Sequence, residues 1–96
     1  MPEYPFTATL WRWPSQEAWR FVTVPAELTE MVRLTSGPPR GFGSVRVEVS
    51  VGATTWRTSV FPDAKSGTYL LPMKKAVRLA EGLEDGDPVN VILRVL

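Results

Sequence analysis

The chain has 96 residues and 10.7 kDa, with 22% charged and 44% hydrophobic residues, enough for one small domain with one core. It contains neither cysteine nor histidine, which excludes disulfide frameworks, zinc fingers, thiol nucleophiles and every histidine-based triad or metal site. Eleven Lys and Arg against ten Asp and Glu give a net charge of +1. They are spread over both halves, so no electrostatic footprint points to nucleic acid or an anionic membrane.

Thr, Val and aromatic residues concentrate at 6–13 and 19–24, which predicts two strands. In the first, Trp11 and Trp13 fall on the face opposite Phe6, Ala8 and Leu10. A short helix is expected over 25–34, entered through Pro25 and burying Leu28, Met31 and Val32. Gly41-Phe42-Gly43-Ser44, after Pro38-Pro39-Arg40, lacks the Gly-Lys-Ser/Thr ending of a phosphate loop and opens no helix, so it reads as a connector. Residues 45–51 alternate Val with polar residues without exception, the pattern of a half-buried strand. Residues 54–61 and 68–71 are further strands. A second helix is expected from Pro72 to about residue 81, with Met73, Ala76, Val77 and Ala80 on one face and Gly82 as its left-handed cap. Residues 89–95 close the chain as a strand with Val89, Val91, Leu93 and Val95 on one side.

The two halves correspond. Trp13-Pro14 matches Phe61-Pro62, Val24-Pro25 matches Leu71-Pro72, and the alternating strands at Val45 and Val89 end each unit. Each reads strand, aromatic-Pro turn, strand, Pro, helix, glycine-containing loop, strand. This pattern predicts an internal ββαβ duplication within one domain, repeat 1 over about 6–51 and repeat 2 over about 54–96. The fold class expected is mainly β: a closed, six-stranded, pseudo-twofold double-split β-barrel capped by two short helices, which leaves no sheet edge exposed.

The segment from Tyr69-Leu70-Leu71-Pro72 through Lys74-Lys75-Ala76-Val77-Arg78, then Gly82-Leu83-Glu84-Asp85-Gly86-Asp87-Pro88-Val89, resembles the swapped-hairpin barrel of AbrB-like transition-state regulators. In its Gly-Asp pair, glycine supplies a positive-φ turn position and Asp can accept backbone N–H groups ahead of the strand. Over about residues 6–95 the chain is closely similar to a small bacterial domain-of-unknown-function family, number nineteen-oh-five. The resemblance rests on Phe6-Thr7-Ala8-Thr9-Leu10, Trp19 with Pro25, Val45 to Val49, Trp56-Arg57-Thr58-Ser59-Val60-Phe61-Pro62, Gly67-Thr68-Tyr69, Lys74 with Arg78, and Gly86-Asp87. It implies a double-split barrel related in shape to the AbrB-like dimer, and it carries no catalytic residues.

Three sets of side chains are candidate sites. Lys74, Lys75 and Arg78 share the polar face of the second helix, with Arg46 and Arg57 on strands. They are either a nucleic-acid contact or the solvated side of an amphipathic lid. Trp11 and Trp13 are either core or an interaction patch for a ligand, a partner domain or a second copy. Arg57 and Ser59, with Tyr69, Lys74 and Arg78, suit an anion or carboxylate held by the Arg fork. The plainer alternative pairs Arg57 with Glu48 or Asp63.

Without His or Cys, a general base near neutral pH would have to be a displaced carboxylate or Lys. The reading is therefore a non-enzymatic ligand-binding or protein-interaction module, with no cofactor, metal or catalytic residue. The alternative is an AbrB-like nucleic-acid-binding regulator. The N-terminal Met-Pro-Glu-Tyr-Pro lacks the basic and apolar regions of a secretory signal, and no apolar run approaches the ~18 residues of a membrane span. A cytoplasmic monomer with an unidentified small ligand or partner protein is expected.

Overall fold

Alternation of apolar and polar residues builds the centre of the molecule. In β4 (Val45–Val51) every valine is buried and the residues between them point outward; β7 (Pro88–Val95) repeats this with Val89, Val91, Leu93 and Val95. Each such valine contributes roughly 1.5–3 kcal/mol relative to leaving it in water. The computed structural model describes residues 2–36 and 43–96. Its other strands are β1 (Glu3–Thr9), β2 (Trp11–Arg12), β3 (Arg20–Thr23), β5 (Thr54–Asp63) and β6 (Thr68–Pro72), with helices α1 (Ala26–Thr35) and α2 (Lys75–Glu81). Most of the glycine-rich connector read from the sequence, residues 37–42, lies outside the described residues.

All pairings are antiparallel, in the order β1-β7-β4-β5-β6-β3-β2. Strand β5 serves two neighbours: residues 54–60 pair with β4 and residues 61–63 with β6. The first strand is divided in the same way, β1 pairing with β7 and β2 with β3. Seven strands therefore stand where six were expected, because the first is broken at Leu10. There the N–H donates to the Asp87 carbonyl at 2.9 Å and the carbonyl accepts from the Gly86 N–H at 2.8 Å.

The sheet is a strongly curled, open half-barrel rather than the closed ring expected. Its two ends, β1 and β2, are successive parts of one bent strand, so they follow each other along the chain and no ladder among the described residues joins them.

Both helices are shorter in buried surface than their periodicity predicted. In α1 Val32 is fully buried and Leu28 half-buried, but Met31 is 48% exposed; the position inward of it is taken by Thr29. The second helix begins at Lys75, not Pro72, which instead ends β6. Met73 and Val77 are buried, whereas Ala76 and Ala80 face solvent. Gly82 caps α2 as expected, donating to the Arg78 and Leu79 carbonyls at φ +63°.

Thr29 has a specific task. Where β3 and β6 diverge, its hydroxyl donates to the Val24 carbonyl (3.3 Å) and accepts from the Tyr69 N–H (3.1 Å). Replacing it with isosteric Val leaves a buried N–H unpaired, so Thr29→Val costs about 1–3 kcal/mol in urea denaturation while Thr29→Ser recovers most of the loss. A Thr29→Val protein as stable as the parent would show that the bridge contributes nothing.

The β4–β5 hairpin turns on Gly52 and Ala53. Gly52 has φ +56° and Ala53 does not share the positive φ, the pattern of a type II′ turn. A Cβ built on Gly52 would lie 1.9 Å from the Glu81 carboxylate, which accepts a hydrogen bond from Thr54 at 2.7 Å. Gly52→Ala is expected to cost about 1–2 kcal/mol from the left-handed backbone alone. Glu81→Ala in the same background should leave most of that cost in place, measured by denaturant midpoint.

Candidate functional site

The two parts of the curled sheet have different exteriors. On β1, β7, β4 and β5 the outward residues Glu3, Arg94, Glu48 and Arg57 stand in one cross-strand row. Their charges alternate: Arg94 lies 2.7 Å from Glu3 and 3.6 Å from Glu48, and Arg57 lies 3.5 Å from Glu48. Beside them Arg46 donates to the Ser59 hydroxyl at 3.5 Å. Each exposed pair is worth only roughly 0.2–1 kcal/mol, but together they leave this face polar and internally paired.

Over β2, β3, β6 and the end of β5 the outward row is apolar. Leu10, Val22 and Leu71 point inward, so their neighbours Trp11, Phe21 and Leu70 point out. Register places Trp11 opposite Phe21 and Phe21 opposite Pro72; the next row runs Thr23, Leu70, Phe61. The loop after β2 adds two more indoles. It is wound by backbone bonds from Gln16 to Trp13, Trp19 to Gln16, and Trp13 to Trp19.

The Trp13 ring is 5.8 Å from Trp11, 5.6 Å from Phe21 and 6.2 Å from Trp19, within the range of favourable offset and edge-on contacts. The Trp11 indole N–H is satisfied by the Thr23 hydroxyl at 3.0 Å. Trp11 and Trp13 are thus half-buried against their own cluster, whereas Trp19 is 51% and Phe61 43% exposed.

Between them runs a groove of about 550 Å³. Trp13, Ala18 and Trp19 stand on the loop side and Phe61 and Pro62 on the β5 side, with Phe21, Leu70 and Pro72 also lining it. Arg20, Asp63 and Lys74 are the charged residues of its lining. No residue of α1 or α2 contributes.

The turn that holds Leu10 also steadies this face. Asp87 Oδ2 accepts from the Glu84 N–H at 2.8 Å and Gly86 has φ +91°, so the Gly-Asp pair acts as its residue types predict. From the same turn Asp85 accepts from Arg20 Nε at 2.5 Å, one residue from Phe21.

Of the residues singled out from the sequence, Trp13 and Lys74 line the groove and Trp11 supports it. Arg57 and Ser59 lie on the other, charged exterior, with Arg57 engaged by Glu48 as its plainer reading supposed. Tyr69 is buried on the inner side, with the Arg33 guanidinium 5.6 Å over its ring. Arg78 donates to the Met73 carbonyl at 3.1 Å. Among the described residues no hydrogen bond or ion pair joins Arg57, Ser59, Tyr69, Lys74 and Arg78 to one another, and of the five Lys74 lines the groove.

Trp19, Phe21 and Phe61 belong to this exterior although no motif in the sequence marks them as a site; Leu70 faces the same way but is covered by its neighbours. The alternation at 21–24 was the available signal, since Val22 and Val24 inward force Phe21 outward. Among the described residues no group of three or more Asp and Glu gathers as for a metal ion, and no helix is long and apolar enough to cross a membrane.

No curated protein matches the chain. The family model described as Domain of unknown function (DUF1905) matches residues 6–93, from within β1 to within β7. That span takes in both helices, the turn that clasps Leu10 and the whole lining of the aromatic groove, and the chain belongs to this family.

Proposed function

We propose that the chain is a non-enzymatic binding module whose working surface is the aromatic groove, and that its occupant is a small apolar ligand. The observation that carries this reading is a concave site of about 550 Å³ in which large aromatic side chains stay exposed. That volume falls in the usual range for small-molecule sites, roughly 300–1,000 Å³. Leaving aromatic carbon in water forgoes roughly 25 cal/mol for each Å², and a ligand ring between Trp19 and Phe61 would recover it.

The absence of His and Cys from the sequence supports a binding role over catalysis, as do the occupied carboxylates nearby. Asp85 holds Arg20, and Asp63 accepts from the Ser66 hydroxyl. The same reading takes the protein as a cytoplasmic monomer whose two ββαβ halves pair within one chain. The bend at Leu10, which lets one strand serve both ends of the sheet, supports kinship with double-split barrels. An AbrB-like nucleic-acid role draws less support: Arg78 is committed to a backbone carbonyl and Arg57 to Glu48, which leaves Lys74 and Lys75 of the expected cationic set, with Arg46 on the charged exterior beside Ser59.

Titration with N-phenyl-1-naphthylamine, a neutral dye that brightens in apolar sites, tests the groove. Saturable brightening at one dye per chain is expected. Trp19→Ala and Phe61→Ser should each weaken it by about tenfold, the equivalent of 1.4 kcal/mol, with little change in thermal midpoint because both side chains are half exposed. Absence of brightening, or unchanged affinity in the doubly substituted protein, would overturn the assignment.

A further inference from the structure

We infer that the groove selects an aromatic monoanion, a carboxylate on a fused or substituted ring, with its acid group held at Lys74; this rests on reading the groove as a small-ligand site. Among the described residues three charged side chains line it: Arg20, Asp63 and Lys74. Arg20 is committed, its Nε to Asp85 at 2.5 Å and its Nη1 to the Glu17 carbonyl. Asp63 is fixed in the β5–β6 hairpin, its carboxylate accepting from Ser66 at 2.8 Å and its carbonyl from the Gly67 N–H at 2.8 Å. Lys74 is exposed, and among the described residues its ammonium has no hydrogen bond or ion pair.

The two uncompensated charges stand at opposite ends. Asp63 pairs in register with Thr68, where β6 begins, and Lys74 follows just beyond Pro72, where β6 ends. The intervening strand spans roughly 13 Å at about 3.3 Å per residue. Its outward side chain Leu70 and the terminal Pro72 supply apolar surface along that length. A ring-borne carboxylate gains the ammonium as a three-donor partner at one end. Turned around, it would meet the Asp63 carboxylate. The pair of charges therefore sets the direction in which the ligand lies as well as its charge.

The test compares 2-naphthoate with its neutral counterpart 2-naphthalenemethanol by tryptophan quenching at neutral pH and low salt, on the whole chain and on Lys74→Gln. The Lys74 side chain makes no intramolecular bond, so the substitution leaves the fold alone. Naphthoate is expected to bind about fivefold more tightly than the alcohol, within the usual strength of a partly exposed charge-assisted contact. Lys74→Gln should bring that ratio to about one without changing the affinity for the alcohol. Equal affinities in the parent, or a ratio that survives Lys74→Gln, would overturn the anion preference while the groove assignment stands on the alcohol. If neither compound binds the parent, both fall together.

Discussion

The architecture hangs on two backbone hydrogen bonds at one residue. At Leu10 the chain must leave the β7 ladder and join β3, and a strand that does so loses its pairing partner for one peptide. The turn at 84–87 supplies the missing donor and acceptor, Gly86 and Asp87 each bonding Leu10. Without them a buried N–H and carbonyl would be stranded next to the core, at roughly 1–3 kcal/mol for each unsatisfied group. With them the first strand can bend, its inner side chain Leu10 stays in the core, and Trp11 emerges on the exterior at the far end of the sheet. The turn is itself held by Asp87 and linked through Asp85 to Arg20, so the bend is tied to the start of β3, next to the aromatic cluster.

That arrangement produces a sheet with one interior and two exteriors of opposite character. The interior is built mainly from valine and leucine, with Tyr4, Trp56, Tyr69 and Met73 among them. On the outside, the row from Glu3 to Arg57 satisfies its charges across four strands, while among the described residues the row from Trp11 to Pro72 is covered chiefly by its own rings. Edge strands and flat apolar faces invite unwanted association. Here the edge at β2 is only two residues long and the loop at 13–19 folds over it. The apolar face is thus recessed into a groove, a shape that admits a small molecule more readily than a flat protein surface.

Much of this was legible in the residues. The alternation, unbroken in 45–51 and broken in 89–95 only by Ile92, identified these two strands and their buried sides. Trp13-Pro14 and Phe61-Pro62 look alike in the sequence, yet the first opens a turn outside the sheet and the second lies within β5. What escaped was decided by tertiary context. The helical spacing of Met31, Ala76 and Ala80 looks like a buried stripe, yet short helices that meet the sheet near one end cover only one turn of side chains, and Thr29 is buried because two backbone groups need it. Leu10 looks like any inward strand residue; nothing local marks it as the place where pairing changes hands. Bulk alone does not sort the aromatic residues: Tyr4, Trp56 and Tyr69 are in the core, whereas inward Leu10 and Val22 leave Trp11 and Phe21 on the outside.

The four tryptophans are consequently sorted into two optical populations. Trp56 is packed in the core, whereas Trp11, Trp13 and Trp19 form a chain of indoles with centroids 5.8 and 6.2 Å apart. At such separations excited states are shared, so the three behave as one chromophore whose circular dichroism depends on the angles between the rings. Trp19, the most exposed of the three, stands at the lip of the groove. A rearrangement of the cluster would therefore change the circular dichroism, while Trp56 in the core reports on whether the fold is intact.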